Sequence, residues 1–540
     1  MPYPDTPASS STQTWIGRAL LIGALLVAFG VFLGDFERAF QDSENLLTFN
    51  HAAVANGADI QWKDIPQAFD HMAMEGDSRN RYISYYIFIV NLKLRMALWD
   101  FISPHPSLST TWIIVLLSLW PLFLGLRNMF GTSAAWLGTA LYAASPGFYT
   151  GLLMLFHPAK PLANLVLIVI FYLLSRYLPD LKRFTFKTDP NTTPPRLPWP
   201  LILWIWGVMT VAPFMDETTT FAYLIILIWY PQAFWASPGA WTAAIRYRVL
   251  RNWAALMMPV IMYPLLLKVV KLVNVARDVP ELTLFGYLFR LFRQGHVAEK
   301  VMAGSLFHNI EALVSIHLLP ITWLNGLRDT HFPITDNDLP PQGTPWLLLP
   351  ILLIAFLIWR RIGHDTSAII VRRTLVIIGT FSLFLFAVLM FHRSYIVPSG
   401  FYYGGPFSVL WTVLATGVVA AAIKSQTVWM RIITPSLVAW MMVAQWINTD
   451  HLQYHWQLHD QIKMSYTITS EAWTKRHPAL LYKRPGSPRL TDEEMQTITQ
   501  QAWQRWKETG KPFDESHPIH YQMLWLQDEL SFKTRLASRK

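Results

Sequence analysis

Apolar runs of about 20 residues recur along the chain, and each is long enough to cross a bilayer as a helix. In a helix the backbone N–H and C=O groups bond to each other, and this is required in hydrocarbon, which offers them no hydrogen-bond partner. The pattern therefore predicts an all-α polytopic membrane protein with a bundle of about eleven transmembrane helices. The predicted spans are 15–34, 111–126, 133–149, 161–178, 201–214, 221–234, 254–272, 345–359, 373–391, 407–423 and 431–447.

The composition agrees with this pattern. Of the 540 residues, 53% are hydrophobic and only 14% are charged, whereas a soluble domain averages about 25% charged residues. The net charge of +10 is typical of basic cytoplasmic loops and does not indicate nucleic-acid binding. There is no cysteine, which excludes disulfides and a thiol nucleophile. No small-residue cleavage site follows the first span, so we interpret it as an uncleaved signal anchor.

Clusters of lysine and arginine predict the orientation. With eleven spans, these clusters all fall on one side of the membrane, and the positive-inside rule makes that side cytoplasmic. We therefore expect a multi-pass protein of the cell (inner) membrane with its N-terminus inside and its C-terminus outside. The clusters are Arg127 and the loops 182–187, 246–251, 360–373 and 424–431.

The polar stretches that face outward divide the chain into two predicted domains. The transmembrane domain is residues 1–447, with a first outer loop at 35–108 and a second large outer segment at 273–344. Residues 448–540 are an extracytoplasmic helical tail domain, which contains a capping box of Thr491 and Glu494.

Two further helices are predicted on the outer side. Residues 83–99 are apolar and aromatic with polar residues late in the run, which is typical of a helix lying flat on the membrane surface. A membrane span is the alternative. Residues 312–324 are too short for a span and are interrupted by His317 and Pro320. We interpret them as a re-entrant or interfacial helix.

The first outer loop begins with an acidic stretch from Gly34 to Pro66. A carboxylate costs several kcal/mol inside hydrocarbon, so this stretch must lie in water. It is either the lip of a catalytic cleft or an ordinary solvated loop. Its six carboxylates are Asp35, Glu37, Asp42, Glu44, Asp59 and Asp64.

Several weak motifs occur in a definite order. Phe130-Gly131 makes a small-residue turn after the second span, Ser145-Pro146 closes the third, and a Pro-Leu-Ala to Arg-Tyr span runs over 161–177. Upstream, Asp42-Ser43-Glu44 resembles an acidic pair, and downstream 214–218 makes an acidic turn. Together they resemble GT-C glycosyltransferases of the protein-mannosyltransferase and lipid A aminoarabinose-transferase kind, over roughly residues 15–235.

This resemblance implies a membrane glycosyltransferase that moves a sugar from a polyprenyl-phosphate donor to an acceptor at the extracytoplasmic face. In an inverting displacement, a carboxylate base takes the proton of the acceptor, and burial in a cleft raises the pKa of such a carboxylate towards neutrality. For each candidate base, a helix cap or a solvated charge is the alternative. The candidates, in order of preference, are Asp42, Glu44 and Asp35.

The phosphate of such a donor needs cations at the outer face, and guanidinium and ammonium groups supply them. For each cation, a lipid-headgroup contact or a surface ion pair is the alternative. Asp216 and Glu217 lie between two spans and are expected to contact the substrate, or to act structurally as an ion pair or an N-cap. The candidate phosphate ligands are Arg79, Arg81, Lys160 and Arg393.

The sequence identifies no cofactor. Asp42 or Glu44 together with Glu217 could hold a divalent metal, but these residues lack metal-ligand spacing. A stripe of three histidines in the tail is more typical of a polar helix face than of a metal site. The stripe is His451, His455 and His459. Gly404-Gly405, in a predicted outer loop at 392–406, is either a flexible lip or a plain turn.

Two other functions stay open. A transporter or lipid flippase would show internal repeats and ionisable residues within spans, and neither is evident in the sequence. An inactive GT-C-like scaffold that binds partners through its tail is allowed because Ser43 splits the acidic pair. The expected partners are a polyprenyl-phosphate-linked sugar and membrane lipid, without nucleic acid. The sugar, the acceptor and any protein partner stay open.

Overall fold

The computed structural model describes the residues that build a helical bundle. They are 9–34, 111–153, 159–176, 196–216, 243–273, 396–424 and 432–449, with the single positions 83, 87, 90, 219, 220, 223, 227 and 317. Within these residues the regular structure is helical and no strand occurs. The helices are α1 Ser9–Gly34, α2 Thr111–Phe130, α3 Thr132–Ala143, α4 Pro146–Leu153, α5 Ala159–Ser175, α6 Trp199–Val211, α7 Ala243–Val273, α8 Ile396–Lys424 and α9 432–449.

Three of these helices are long and apolar enough to cross a membrane: Thr12–Gly30 in α1, Thr111–Phe130 in α2 and Tyr247–Leu266 in α7. Half of the α2 span is buried, against 22% and 28% of the spans in α1 and α7. Among these three helices α2 is therefore the most buried, and α1 and α7 leave a larger share of their residues exposed, including Leu26 and Leu265. The prediction of a helical membrane protein is confirmed at this level, and the count of eleven spans stays a prediction.

The short helix α3 is the centre of the bundle. Nine of its twelve residues are buried, and most of these are small. Gly131, with φ of 92°, provides the predicted tight turn from α2, a conformation that glycine adopts without strain. A Cβ atom on Gly138 would overlap the side chain of Thr416, so α3 and α8 pack almost backbone to backbone.

The predicted break in span three is confirmed at Ser145-Pro146. Proline lacks a backbone N–H group and is tolerated in the first turn of a helix, and α4 begins at Pro146. The hydroxyl of Ser145 accepts a hydrogen bond of 3.3 Å from the backbone N–H of Phe148. The chain thus bends between α3 and α4, and the buried backbone N–H group of Phe148 keeps a hydrogen-bond partner.

Contacts between helix ends show which termini share one end of the bundle. Thr14 and Ser133 join the starts of α1 and α3 through hydroxyl groups 2.9 Å apart. Asn128 donates a hydrogen bond of 3.0 Å to Ser175, which joins the ends of α2 and α5. Since Arg127 and Arg176 stand beside these contacts, we call this end the basic end.

The helices α6 and α7 run side by side from the same end. The indole N–H of Trp206 donates to the carbonyl of Ala255 over 2.6 Å, and the rings of Phe214 and Tyr263 lie 5.2 Å apart further along. The hydroxyl of Tyr223 reaches back to the carbonyl of Leu256 over 2.6 Å. The Trp206 bond and the contact of the two rings hold α6 and its following turn against α7, and the Tyr223 bond attaches a further helical position to α7.

Two predicted loops are helical in the structure. Residues 246–251 were expected to be a basic loop but lie in the first turns of α7. The loop expected at 392–406 is wrong from Ile396 onwards, because α8 begins there and includes Gly404 and Gly405. The physical reason at Gly405 is close packing: a Cβ atom there would overlap the amide of Asn164, so this glycine serves a helix contact and not a turn.

The two extra helices of the outer side are described only at single positions. Ile83 and Ile87 are helical and pack on the core, with Ile83 near Phe214 and Tyr263. His317, within the predicted helix 312–324, is helical and buried, and the choice between a re-entrant and an interfacial helix stays open. The tail 450–540 lies outside the described residues, and the predicted domain boundary stays a prediction.

Candidate functional site

A buried ion pair lies at the end of the bundle opposite the basic end. The Nζ atom of Lys160 is 3.6 Å from Oδ2 of Asp216, and the two side chains are only 8% and 2% exposed. Lys160 is in the first turn of α5, and Asp216 follows the 3-10 turn Ala212–Phe214 that ends α6. Two charges taken out of water cost several kcal/mol each unless they are well paired, so a pair retained here needs an explanation.

The turn that carries Asp216 is held by its own backbone. The N–H of Asp216 donates to the carbonyl of Ala212 over 3.1 Å, and the N–H of Thr219 donates to the carbonyl of Asp216 over 3.1 Å. The hydroxyl of Thr219 reaches the same carbonyl at 2.7 Å. Successive tight turns through Pro213 thus fix the backbone that presents the carboxylate to Lys160.

The position of Lys160 opposes the usual preference of helices. The first turn of a helix carries the positive end of its dipole, so it favours anions and disfavours a cation. Lys160 stands there directly before Pro161. The carboxylate of Asp216 offsets this unfavourable position, and an external anion at the same place would gain from both the ammonium group and the helix end.

Asn164 continues this polar site one helical turn further along α5. Residues four apart lie on the same face of a helix, so Asn164 stands below Lys160. It is 7% exposed, and within the described part of the chain its Oδ1 atom has no hydrogen-bond partner. Its amide packs against Gly405 of α8, which in turn lies close to Gly147 of α4.

Ser408 and His317 extend the site between α4, α8 and α9. The backbone N–H of Gly147 donates to Oγ of Ser408 over 3.1 Å, and this oxygen lies 3.2 Å from Nε2 of His317. The carbonyl of His317 accepts a hydrogen bond of 3.4 Å from the side chain of Gln445. The ring of His317 also packs against Phe407 and Trp411, with centroids 5.1 and 5.3 Å away. Polar groups therefore cross the bundle at this level.

The structure places two of the predicted site residues, Lys160 and Asp216, and brings them together. For both residues an ion pair was the alternative interpretation, but that of Lys160 was expected at the surface and is buried. The other predicted residues lie outside the described residues, and their roles stay predictions. They are Asp42, Glu44, Asp35, Glu217, Arg79, Arg81 and Arg393, together with His451, His455 and His459.

Sequence reasoning missed the roles of Asn164, Ser408 and Gly405. A signal for Asn164 was available, because an amide four residues after Lys160 interrupts an otherwise apolar span, and polar residues within spans mark functional positions. The residues described here contain no cluster of three His, Cys, Asp or Glu side chains. No family model, curated protein or solved structure matches the chain.

Proposed function

We propose that the chain is a membrane glycosyltransferase that moves a sugar from a polyprenyl-phosphate donor to an acceptor at the end of the bundle opposite the basic end. The observation that carries this proposal is the buried pair of Lys160 and Asp216, 3.6 Å apart. Of the segments that bear the resemblance to GT-C enzymes, 161–177 follows Lys160 directly and the acidic turn at 214–218 contains Asp216. The basic end is then cytoplasmic, and the reaction takes place at the extracytoplasmic face.

In the proposed reaction, a carboxylate takes the proton of the acceptor hydroxyl or amine, and Asp42 is the first choice for this base. The acceptor atom then forms a bond to the anomeric carbon of the sugar from the face opposite the leaving group. The bond from that carbon to the phosphate oxygen breaks, and the polyprenyl phosphate leaves with the electron pair. The configuration at the anomeric carbon is inverted, and a base of this kind contributes about 10²–10⁴-fold in rate.

Lys160 is suited to bind the departing phosphate. Its side chain is largely excluded from water. In such a buried environment, the attraction between an ammonium group and an anion is stronger than in bulk solvent. Charge develops on the leaving oxygen as the bond breaks, and a cation positioned beforehand stabilises that charge. In this proposal, Asp216 is a positioning residue that holds Lys160 against α6 until the phosphate enters.

The competing explanation is that the pair only fastens α5 to the end of α6. The two explanations differ for an apolar replacement, because exchanging both members of a buried pair for residues of similar volume is often neutral or stabilising. We expect Lys160→Met combined with Asp216→Leu to insert and to fold but to lose sugar transfer. Retained transfer in this double variant would show that the pair is structural.

The decisive measurement is the release of polyprenyl phosphate from labelled undecaprenyl- and dolichyl-phosphate sugars by the purified chain in nanodiscs, with peptide and glycolipid acceptors. Lys160→Met should raise KM for the donor and also lower kcat, because it removes a cation that binds the phosphate and stabilises the charge that develops on it. Asp42→Asn should lower kcat by about 10²–10⁴-fold, since asparagine is nearly isosteric but takes no proton. Arg176→Met is the matched control, because it removes a cation from the other end of the same helix.

A transporter or flippase is the second candidate, and His317 favours it. A titratable ring buried between α8 and α9 is the kind of residue that lines a transport path. Unaltered donor in every turnover assay, together with movement of a lipid-linked sugar across proteoliposomes, would establish that function instead.

A further inference from the structure

We infer that Asn164 is a specificity-determining residue, whose side-chain oxygen accepts a hydrogen bond from a hydroxyl group of the donor's sugar. This inference rests on the proposed function and deepens it. Lys160 would bind the phosphate of the donor, and Asn164 would recognise the sugar attached to it through a hydrogen bond. The class of ligand is therefore a polyprenyl-phosphate glycoside with a free hydroxyl on the ring, and not a polyprenyl phosphate alone.

The side-chain oxygen of Asn164 is buried and unpaired among the described residues. A buried polar atom without a partner costs about 1–3 kcal/mol, and such atoms in folded proteins call for an explanation. Asn164 is 7% exposed, and among the described residues nothing donates to its Oδ1 atom. A ligand hydroxyl is a donor of the required kind.

Asn164 lies one helical turn from the ammonium-bearing Lys160. Four residues along an α-helix correspond to a rise of about 6 Å, and the two side chains share one face of α5. A sugar ring bonded to a phosphate oxygen places its hydroxyls several ångströms from the phosphorus. One face of α5 thus offers a cation and a hydrogen-bond acceptor at the spacing that a phosphoglycosyl group requires.

Among the described residues, two more buried hydroxyl groups without a hydrogen-bond partner lie near Asp216 in the chain. The hydroxyls of Thr210 and Thr220, which precede and follow Asp216 in the chain, are buried. Neither has a hydrogen-bond partner within the part of the chain that the structure describes. A ligand rich in hydroxyl groups, which both donate and accept, could satisfy such atoms, whereas an acyl chain could not.

Gly405 fixes where the Asn164 amide lies. A Cβ atom at Gly405 would overlap the amide nitrogen of Asn164 and would come within 3.0 Å of its Oδ1 atom. Since a flexible side-chain end can move aside, Gly405→Ala should displace the amide without removing it. This provides a second variant that tests the position of Asn164 and not merely its presence.

The experiment compares binding of undecaprenyl phosphate with binding of its mannosyl, glucosyl, N-acetylglucosaminyl and aminoarabinosyl derivatives to the chain in nanodiscs. The parent should prefer at least one glycoside over the sugarless lipid. Loss of a single neutral hydrogen bond in Asn164→Leu should reduce that preference by about 3- to 10-fold, and Gly405→Ala should act in the same direction. Asn128→Leu, at the basic end, is the matched control and should keep the preference.

Each result has a defined meaning. If Asn164→Leu has a higher melting temperature than the parent and a weaker preference for the glycoside over undecaprenyl phosphate, the inference is supported. The amide then contributes to ligand binding and lowers the stability of the protein. If Asn164→Leu and Gly405→Ala both keep the sugar preference, or if the parent has none, the inference fails while the proposed function stands. If the parent binds none of these lipids, the proposed function fails and the inference fails with it.

Discussion

The two ends of the bundle carry charge in opposite ways. At the basic end Arg18 and Arg176 are exposed and lie over aromatic rings: Arg18 is 5.2 Å from the centroid of Trp136, and Arg176 is 4.5 Å from that of Tyr172. At the opposite end Lys160 and Asp216 are buried and lie 3.6 Å apart. The basic end presents its charge to water, and the other end withdraws it into the bundle.

This difference indicates that the two ends of the bundle have different roles. Cations over aromatic rings at the end of apolar helices are typical of membrane–water interfaces, where they anchor a helix at little cost in desolvation. A charge inside the bundle is expensive, and membrane proteins retain such charges mostly at substrate and ion sites. The comparison therefore separates an anchoring end from an end that can perform chemistry.

The largest expected effect concerns which side of the membrane each end faces. A reporter that is active only outside the cytoplasm should be active when fused after Lys540 and inactive when fused after Lys424, the last residue of α8 at the basic end. The reason is that lysine and arginine clusters retain their loops in the cytoplasm. A cytoplasmic signal from the fusion after Lys540 would end the model of eleven spans.

The next effect compares a buried cation with an exposed one on the same helix. Lys160→Met leaves the carboxylate of Asp216 buried without its lysine, and breaking a buried pair in this way costs about 3–5 kcal/mol. Arg176→Met removes an exposed cation–π contact and should cost about 1 kcal/mol or less. Unfolding of the purified chain in mixed micelles of detergent and sodium dodecyl sulfate would measure both values.

Equal losses of stability in the two variants would contradict the distinction between the ends. Asp216→Leu added to Lys160→Met should restore most of the stability, because it removes the uncompensated charge. If the double variant is as unstable as Lys160→Met alone, the interactions of Lys160 with other groups, and not its pairing with Asp216, determine its contribution.

Much of the anchoring end could be predicted from sequence. Exposed charges obey a local rule, because each follows an apolar run and faces water whatever the rest of the chain does. The same holds for the turn at Gly131 and the break at Pro146, where the backbone of one or two residues decides the outcome. The start of α7 was missed because a basic stretch such as 246–253 can extend a helix beyond the membrane as readily as it can end one.

The opposite end could be predicted only in part. Lys160 and Asp216 were each expected to be functional or paired, but nothing in the sequence says that they pair with each other, since that depends on how α5 packs near the end of α6. The same limit applies to Gly405, whose glycine pair is typical of a turn in sequence and serves a helix contact in the structure. A long-range contact leaves no local signal.

The smallest expected effect compares one polar contact at each end. Ser408→Ala removes the acceptor of the buried Gly147 N–H group and the hydroxyl beside His317, and leaving a buried donor unpaired costs about 1–3 kcal/mol. Asn128→Ala removes a partly buried bond to Ser175 and should cost about 0.5–1.5 kcal/mol, because water can replace the lost partner. The same mixed-micelle unfolding measures both, and Ser408→Thr, which keeps the hydroxyl, should recover part of the loss.

A smaller loss for Ser408→Ala than for Asn128→Ala would mean that the polar groups around His317 are hydrated, and that water reaches the interior of the bundle at the level of the ion pair.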